Sequence, residues 1–501
     1  MSKLFAKKQM SVLMAEAGES EKGLKRTLGA GSLVALGIGA IIGAGLFVRT
    51  AAAAGQHAGP AVTISFIIAA IGCALAGLCY AEFASMIPIA GSAYTYSYAT
   101  LGEFVAWIIG WDLVLEYALG AATVAIGWSQ YLNKLLASVF HVTIPYQWCH
   151  SPFETSDAGI QGIMNVPSLF ILLALTLLLI RGTQSSAIVN NVIVITKVAI
   201  VLLFIFLGWK YINPANHTPF TIPATAGTVK MHNGQIVDYS HFWNHGWAGV
   251  LRGAGVVFFA FIGFDAVSTA AQETKNPKRN MPIGILVSLA ICTVLYILFS
   301  YVLTGIAPFT DFLKAGGEAS VAYAIDTYMP GYGWLSTFIT VAILAGFSSV
   351  ILVMLLGQTR VFYSMSNDGL VPSVFAKLHP KYRTPYRSQW MFFVFVSLFA
   401  AFIPDNVVGE MTSIGTLFAF VLVCIGIIVM RKSNPDLPRA FKTPWVPFVP
   451  IAGALICLTM IVSLGFENWA RLFVWLGIGF IIYFRYSVKH SKARKALDEN
   501  K

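Results

Sequence analysis

The chain has 501 residues, of which 57% are hydrophobic and only 11% charged, against roughly 25% charged in an ordinary soluble protein. That balance excludes a soluble globular domain and places the chain in lipid. The net charge of +11 does not point to nucleic acid, because the basic residues are scattered over loops between apolar runs, as membrane topology requires.

Requiring about 20 mostly apolar residues per crossing predicts twelve spans, near 30–54, 60–88, 101–136, 166–182, 186–209, 247–272, 282–308, 333–364, 388–404, 408–430, 449–466 and 468–485. Pro60 and Pro282 sit where a first helical turn tolerates proline. Residues 1–29 are charged and mixed and lack a cleavable signal pattern, so they read as a cytoplasmic, interfacial segment. Segment 210–246 is rich in Pro, Thr, Asn and His; His217, His232, His241 and His245 are irregularly spaced without a carboxylate cluster and read as solvated loop residues. The six cysteines lie in apolar spans except Cys149, with no disulfide or zinc spacing.

Orientation follows from Lys and Arg. With the N-terminus inside, cytoplasmic segments collect 25 of them and the opposite side seven, Arg49, Lys134, Lys210, Lys230, Arg252, Lys314 and Arg471. Both termini are therefore expected in the cytoplasm of a multi-pass membrane protein. Lys197 alone belongs to neither group.

The stretch "GIGAIIGAGLF" (37–47) places Gly37, Gly39, Gly43 and Gly45 within nine residues of the first span. Each glycine costs a helix interior roughly 1 kcal/mol against alanine. Small-xxx-small spacing from Gly39 to Gly43 would let helices approach closely. The alternative is a broken helix, tolerated at membrane depth only where it lines a cavity or is buried in protein. The sixth span, "RGAGVVFFAFIGFDAVSTAAQE", repeats the signal with Gly263 and Asp265 near its centre. Interruptions at equivalent positions of two five-helix halves point to an inverted-repeat transporter with its site at the midplane. The predicted fold is thus an all-α polytopic membrane protein with twelve transmembrane helices, a 5+5 inverted repeat plus two C-terminal helices. The divisions are 1–29 cytoplasmic, 30–209 first repeat, 210–246 extracytoplasmic loop, 247–430 second repeat, 431–448 cytoplasmic loop, 449–485 the last two helices and 486–501 cytoplasmic tail.

The stretches "LKRTLG" (24–29), "GIGAIIGAGLF" (37–47), "YAEFASMIPIAGSAYTYSYATLGEFVAWIIGWDLVLEY" (80–117), "FFAFIGFDAVSTAAQETKNPKRNMP" (258–282) and "GQTRVFYSMSNDGLVP" (357–372) resemble the amino acid/polyamine/organocation (APC) superfamily, and within it bacterial relatives of the cationic amino acid transporter family. The resemblance covers nearly the whole chain in order and implies a LeuT-like fold.

An ionisable side chain at bilayer centre costs about 2.5–3.5 kcal/mol, so each one is a functional candidate. Lys197 stands about eleven residues into span five, roughly 16 Å from its start. Glu116 on span three and Asp265 on span six are also well inside. Lys197 either pairs with one acid to hold helices together or titrates. The resemblance implies that in proton-coupled members a lysine here stands near the metal position of sodium-coupled members, between the first and eighth helices. Proton coupling is accordingly assigned to Lys197, Glu116 and Asp265, with no metal or other cofactor. Asp112, one turn before Glu116, reads as structural, Glu82 and Glu103 as loop or gating charges, and Arg181 as an interfacial anchor.

Free N–H groups of Gly43, Ala44 and Gly45 would receive an α-carboxylate, and free carbonyls of Phe259, Ala260 and Ile262 an α-ammonium. Side-chain selectivity falls to Ile41, Glu116, Phe261 and Phe347. The resemblance favours cationic cargo (arginine, lysine or ornithine) slightly, whereas Phe347 at a variable position suits a smaller or neutral side chain. Two departures from the family pattern stand out: Arg49 follows "GLFV" and would face the outer vestibule, disfavouring cations, and Gln272 precedes Glu273 where relatives often carry two acids.

Partners are the amino acid cargo and the lipid bilayer, with no nucleic acid, and either a small single-span membrane peptide or none. An amino acid/polyamine exchanger is an alternative to symport. A membrane enzyme would need HExxH, GxSxG or a paired-acid geometry, which no span carries. A channel would show a ring or filter repeated by symmetry, and a non-transporting receptor with a transporter fold is the remaining rival class.

Overall fold

The computed structural model describes residues 3–8, 28–87, 92–156, 158–181, 186–231, 236–314, 320–382 and 384–499, apart from the side chains at 186–190, 272–273, 314, 320 and 497–499. The expectations placed on 9–27, on His232 and on the Gln272 and Glu273 side chains lie outside that set.

The regular structure of the described residues is helical except for one two-stranded ribbon, Thr228–Lys230 antiparallel to Ile236–Asp238. We label the long helices in chain order: α1 (Ala30–Ile41, resuming over 45–58), α2 (Val62–Met86), α3 (Glu103–Phe140), α4 (Val166–Arg181), α5 (Ser186–Gly208), α6 (Gly246–Val257, then Phe258–Phe261, resuming at Asp265–Glu273), α7 (Pro277–Ile306), α8 (Gly333–Asn367), α9 (Tyr386–Phe402), α10 (Asp405–Ser433), α11 (Phe448–Ser463) and α12 (Phe466–Ile482).

Among the described residues, eight stretches are long and apolar enough to cross a membrane, and α4 and α11 are shorter apolar helices. The first stretch, Ala30–Met86, spans 57 residues, about 85 Å as a single rod and far beyond the ~30 Å apolar core of a bilayer. It turns back at Gly59, whose φ of 61° suits a residue without Cβ, and Pro60 opens the next turn. The start of α7 differs from the sequence reading: the helix begins at Pro277, which takes the first-turn position, and Pro282 lies inside it. The turn-like "ETKNPKRNMP" ends at Asn276 in a left-handed conformation, and the helix starts directly after it.

The core lies between α1, α2, α3, α6, α7, α8 and α10. Apolar side chains on α4, α5, α9, α11 and α12, including Phe170, Phe206, Val394, Leu455 and Phe473, remain exposed, as a lipid-facing perimeter requires. The ribbon segment is tied to the core by Tyr239, whose Oη donates to the Gly55 carbonyl at 2.6 Å. Glu82 and Glu103, read as loop or gating charges, are fully buried and engaged. Glu82 takes Arg431 at 2.7 Å, Arg439 at 3.2 Å and the Thr443 N–H at 2.7 Å, and Glu103 takes Arg494 at 2.7 Å.

Candidate functional site

Both glycine-rich spans are interrupted. In α1 the last bond of the first half runs from the Ile42 N–H to the Ile38 carbonyl at 2.9 Å, where Ile42 turns extended with ψ 104°. The second half opens with Leu46 and Phe47 donating to the Gly43 carbonyl at 3.2 and 3.4 Å. The N–H groups of Gly43, Ala44 and Gly45 therefore stand ahead of the first ladder bond, at the positive end of the resumed helix. In α6 the helix tightens over Phe258–Phe261, Ile262 extends with ψ 137°, and Gly263 adopts φ 109° before the chain coils again at Asp265. Only glycine takes that last conformation without strain.

The two breaks interlock through their glycines. A Cβ on Gly45 would overlap the backbone of Ala260, and one on Gly263 would lie 3.0 Å from the Ala40 carbonyl oxygen. Gly43 faces α8, where a Cβ would meet Val350 at 3.0 Å. Each absent side chain is thus the space in which another backbone or wall stands.

A broken helix leaves carbonyls at the end of its first half without partners, and at this depth no bulk water satisfies them. Two side chains do so in α1. Lys197 Nζ donates to the carbonyls of Gly39 and Ile42, each at 2.9 Å. Tyr296 Oη on α7 lies 2.9 Å from the Ile41 carbonyl and 2.9 Å from that of Ala260, so its single proton can turn to either break. The ammonium meets the negative end of the half-helix dipole, a favourable place for a buried cation. Its aliphatic stem packs where Gly346 of α8 leaves room, a Cβ there coming within 2.7 Å of Lys197 Cε. Tyr296→Phe is expected to remove the shared donor and destabilise the fold by about 1–3 kcal/mol. A thermal unfolding midpoint equal to that of the unmodified protein in detergent would contradict the bridge.

Of the two sequence readings of Lys197, pairing with an acid is not what the structure contains: its acceptors are carbonyls. The acids form a separate group. Glu116 sits in a π-helical turn of α3 (Leu115–Leu119), a bulge often found at functional positions. Both oxygens of its carboxyl, and Oδ1 of Asp265, are buried without a hydrogen-bond partner among the described residues, while Tyr117 Oη donates to Asp265 Oδ2 at 2.6 Å. Two buried carboxyl groups near one another disfavour both being ionised. Asp112 is fully buried, and neither of its oxygens has a hydrogen-bond partner.

Among the remaining sequence-selected residues, Ile41, Ala44, Phe259, Ala260 and Ile262 are all buried at the breaks. The Phe259 carbonyl accepts from the Ile262 N–H at 3.3 Å, and that of Ala260 lies against Tyr296. Phe347 on α8 meets Tyr131 of α3 edge-on at 5.7 Å and Phe47 of α1 at 6.3 Å. Phe261 turns the other way, against Phe66 at 6.2 Å and Tyr296 at 5.2 Å. Arg49 departs from its expected place in an open vestibule. It is buried, with Nη2 2.9 Å from Asp405 Oδ2 and 2.7 Å from the Asp405 carbonyl, and its guanidinium lies 5.6 Å from the centre of the Phe259 ring.

Comparison with known proteins places this geometry. The amino acid permease family profile matches residues 28–483, nearly the entire helical region. The chain belongs to the amino acid permease family. It is 45% identical over 489 residues to the branched-chain amino acid permease BcaP of Bacillus subtilis, covering 98% of each chain. It is 43% identical to the methylthioribose transporter of the same organism, over 99% of this chain and 100% of that one. The vacuolar cationic amino acid transporter 4 of Arabidopsis thaliana is more distant, at 32% over 87% of this chain and 68% of that one. The permease is a membrane transporter, not an enzyme. Tyr296, which the sequence reading missed, carried one signal: a tyrosine in the middle of an apolar span needs a buried acceptor for its hydroxyl.

Proposed function

We propose that the permease imports amino acids by proton-coupled alternating access, reading the cargo's backbone at the paired breaks of α1 and α6. The observation that carries this is the interlocked pair of interruptions, in which the free N–H groups of Gly43, Ala44 and Gly45 open the second half of α1 and Gly45 stands against the backbone of Ala260 in α6. An α-carboxylate suits the first set and an α-ammonium the carbonyls of Ala260 and Ile262. Twelve crossings, a 5+5 inverted repeat over 30–209 and 247–430, two further helices over 449–485 and both termini in the bacterial cytoplasm complete the reading. Lys197 is the proposed proton-coupling group, because its ammonium pins the first half of α1 and that hold weakens when it gives up its proton and the charge on its two hydrogen bonds. The Glu116 and Asp265 pair is a second proton carrier.

For cargo, a neutral apolar side chain is supported by two features. Phe347 fills the space between α1, α3 and α8, and a branched-chain amino acid permease is among the relatives at 45% identity. A second reading, cationic cargo, rests on the Glu116 and Asp265 carboxyls, which have no Lys or Arg partner among the described residues. Uptake into proteoliposomes with an imposed pH gradient, competed by each of the twenty amino acids, tests both. Phe347→Ser is expected to widen the set of competitors by opening the wall opposite Phe47, and an unaltered competition profile would remove Phe347 from the pocket.

A further inference from the structure

The carboxy-terminal segment after α12 is fastened to the body. Ser487 Oγ donates to the Leu370 carbonyl at 2.6 Å and the Lys492 N–H to the Asp368 carbonyl at 3.1 Å. Arg494 turns inward, with Nε 2.7 Å from Glu103 Oε1 and Nη2 2.6 Å from Tyr483 Oη, and Ser491 Oγ donates to the same buried carboxylate. This clasp uses the segment's inward polar groups and fixes which cations face out. Arg485 and Lys489 stand one turn apart on the first piece of the segment, and Lys492 and Lys495 one turn apart on the helix Lys492–Glu499. All four are exposed, and none meets a carboxylate among the described side chains.

Their position matters as much as their charge. Ile481 and Phe484, at the end of the last crossing, are exposed apolar side chains, so the four cations begin where the hydrocarbon region ends. Long basic side chains at that level reach headgroup phosphates while their stems stay on apolar surface. Four cations without a carboxylate partner among the described side chains, held in place directly after a membrane helix, match a sheet of anionic headgroups. We propose that Arg485, Lys489, Lys492 and Lys495 form a binding surface for anionic phospholipid headgroups of the leaflet at which α12 ends. Because the Arg494 and Glu103 clasp orders the segment beforehand, little conformational freedom is lost on binding.

The test uses the purified full chain in nanodiscs of phosphatidylcholine containing phosphatidylglycerol, and counts lipids retained after mild detergent extraction by native mass spectrometry. The unmodified protein is expected to retain phosphatidylglycerol over phosphatidylcholine, with the preference falling as salt rises. The quadruple variant with Arg485, Lys489, Lys492 and Lys495 replaced by Gln is expected to lose at least tenfold in that preference, and each single Lys→Gln variant about fivefold. The single variants keep the test decisive if the quadruple one does not fold. Equal phosphatidylglycerol retention by the unmodified and single-variant proteins would overturn the proposal. So would displacement of the lipid by millimolar inorganic phosphate, which assigns the surface to a soluble anion, or by an RNA oligonucleotide. The readout needs no cargo and is independent of the transport reading.

Discussion

Replacing Lys197 with alanine is expected to reduce pH-gradient-driven uptake in proteoliposomes to the level of protein-free vesicles. The side chain does two things at once. Its ammonium satisfies the Gly39 and Ile42 carbonyls at the end of the first half of α1, and it puts a basic group directly on the interrupted backbone. Without it both carbonyls are left unpaired in a dry interior, at about 1–3 kcal/mol each, and the first half of α1 is no longer held in a proton-dependent way. Cargo-induced thermal stabilisation of the variant separates a coupling defect from loss of the fold. Normal pH-dependent accumulation by Lys197→Ala would exclude the lysine from coupling.

Gly43→Val is expected to remove cargo binding while the protein remains folded. The branched side chain would occupy the approach to the N–H groups of Gly43, Ala44 and Gly45. It also meets Val350 of α8, which already lies 3.0 Å from the position of a first carbon. A displaced Val350 side chain costs about 1–3 kcal/mol of overpacking, whereas a filled anion site costs the carboxylate all of its donors. The measurement is protection against thermal unfolding by saturating cargo, expected to vanish in the variant. Undiminished protection would mean that cargo is held elsewhere.

The interruptions of α1 and α6 were legible because they are written locally: Gly37 to Gly45 in one run, and Gly263 two residues before Asp265 in the other. Lys197 was legible for a similar reason, as a single cation far inside an apolar run. What the sequence did not reveal are contacts between distant residues. The Tyr296 hydroxyl reaches Ile41 across 255 positions and Arg49 reaches Asp405 across 356, and no periodicity records either. The consequence for Arg49 was an error of environment: a charged residue past the end of a break reads as solvated until its buried counterion is seen. Glu82 and Glu103 repeat the lesson, since their Arg431, Arg439 and Arg494 partners lie hundreds of residues away. The start of α7 was misplaced because Pro277 and Pro282 both satisfy a first-turn rule, and only the hydrogen-bonded helix shows which one opens it.

The central claim is that the chain recognises the backbone of an amino acid at the two breaks. Competition by truncated analogues for uptake of the preferred amino acid tests it most directly; for leucine these are leucinamide, which lacks the carboxylate, 4-methylpentanoate, which lacks the ammonium, and isoleucine, which changes only the side chain. Isoleucine is expected to compete, and both truncated analogues are expected to fail even at hundredfold excess. Strong competition by leucinamide and 4-methylpentanoate, or uptake of methylthioribose but not of any amino acid, would contradict recognition by the bare peptide groups of α1 and α6.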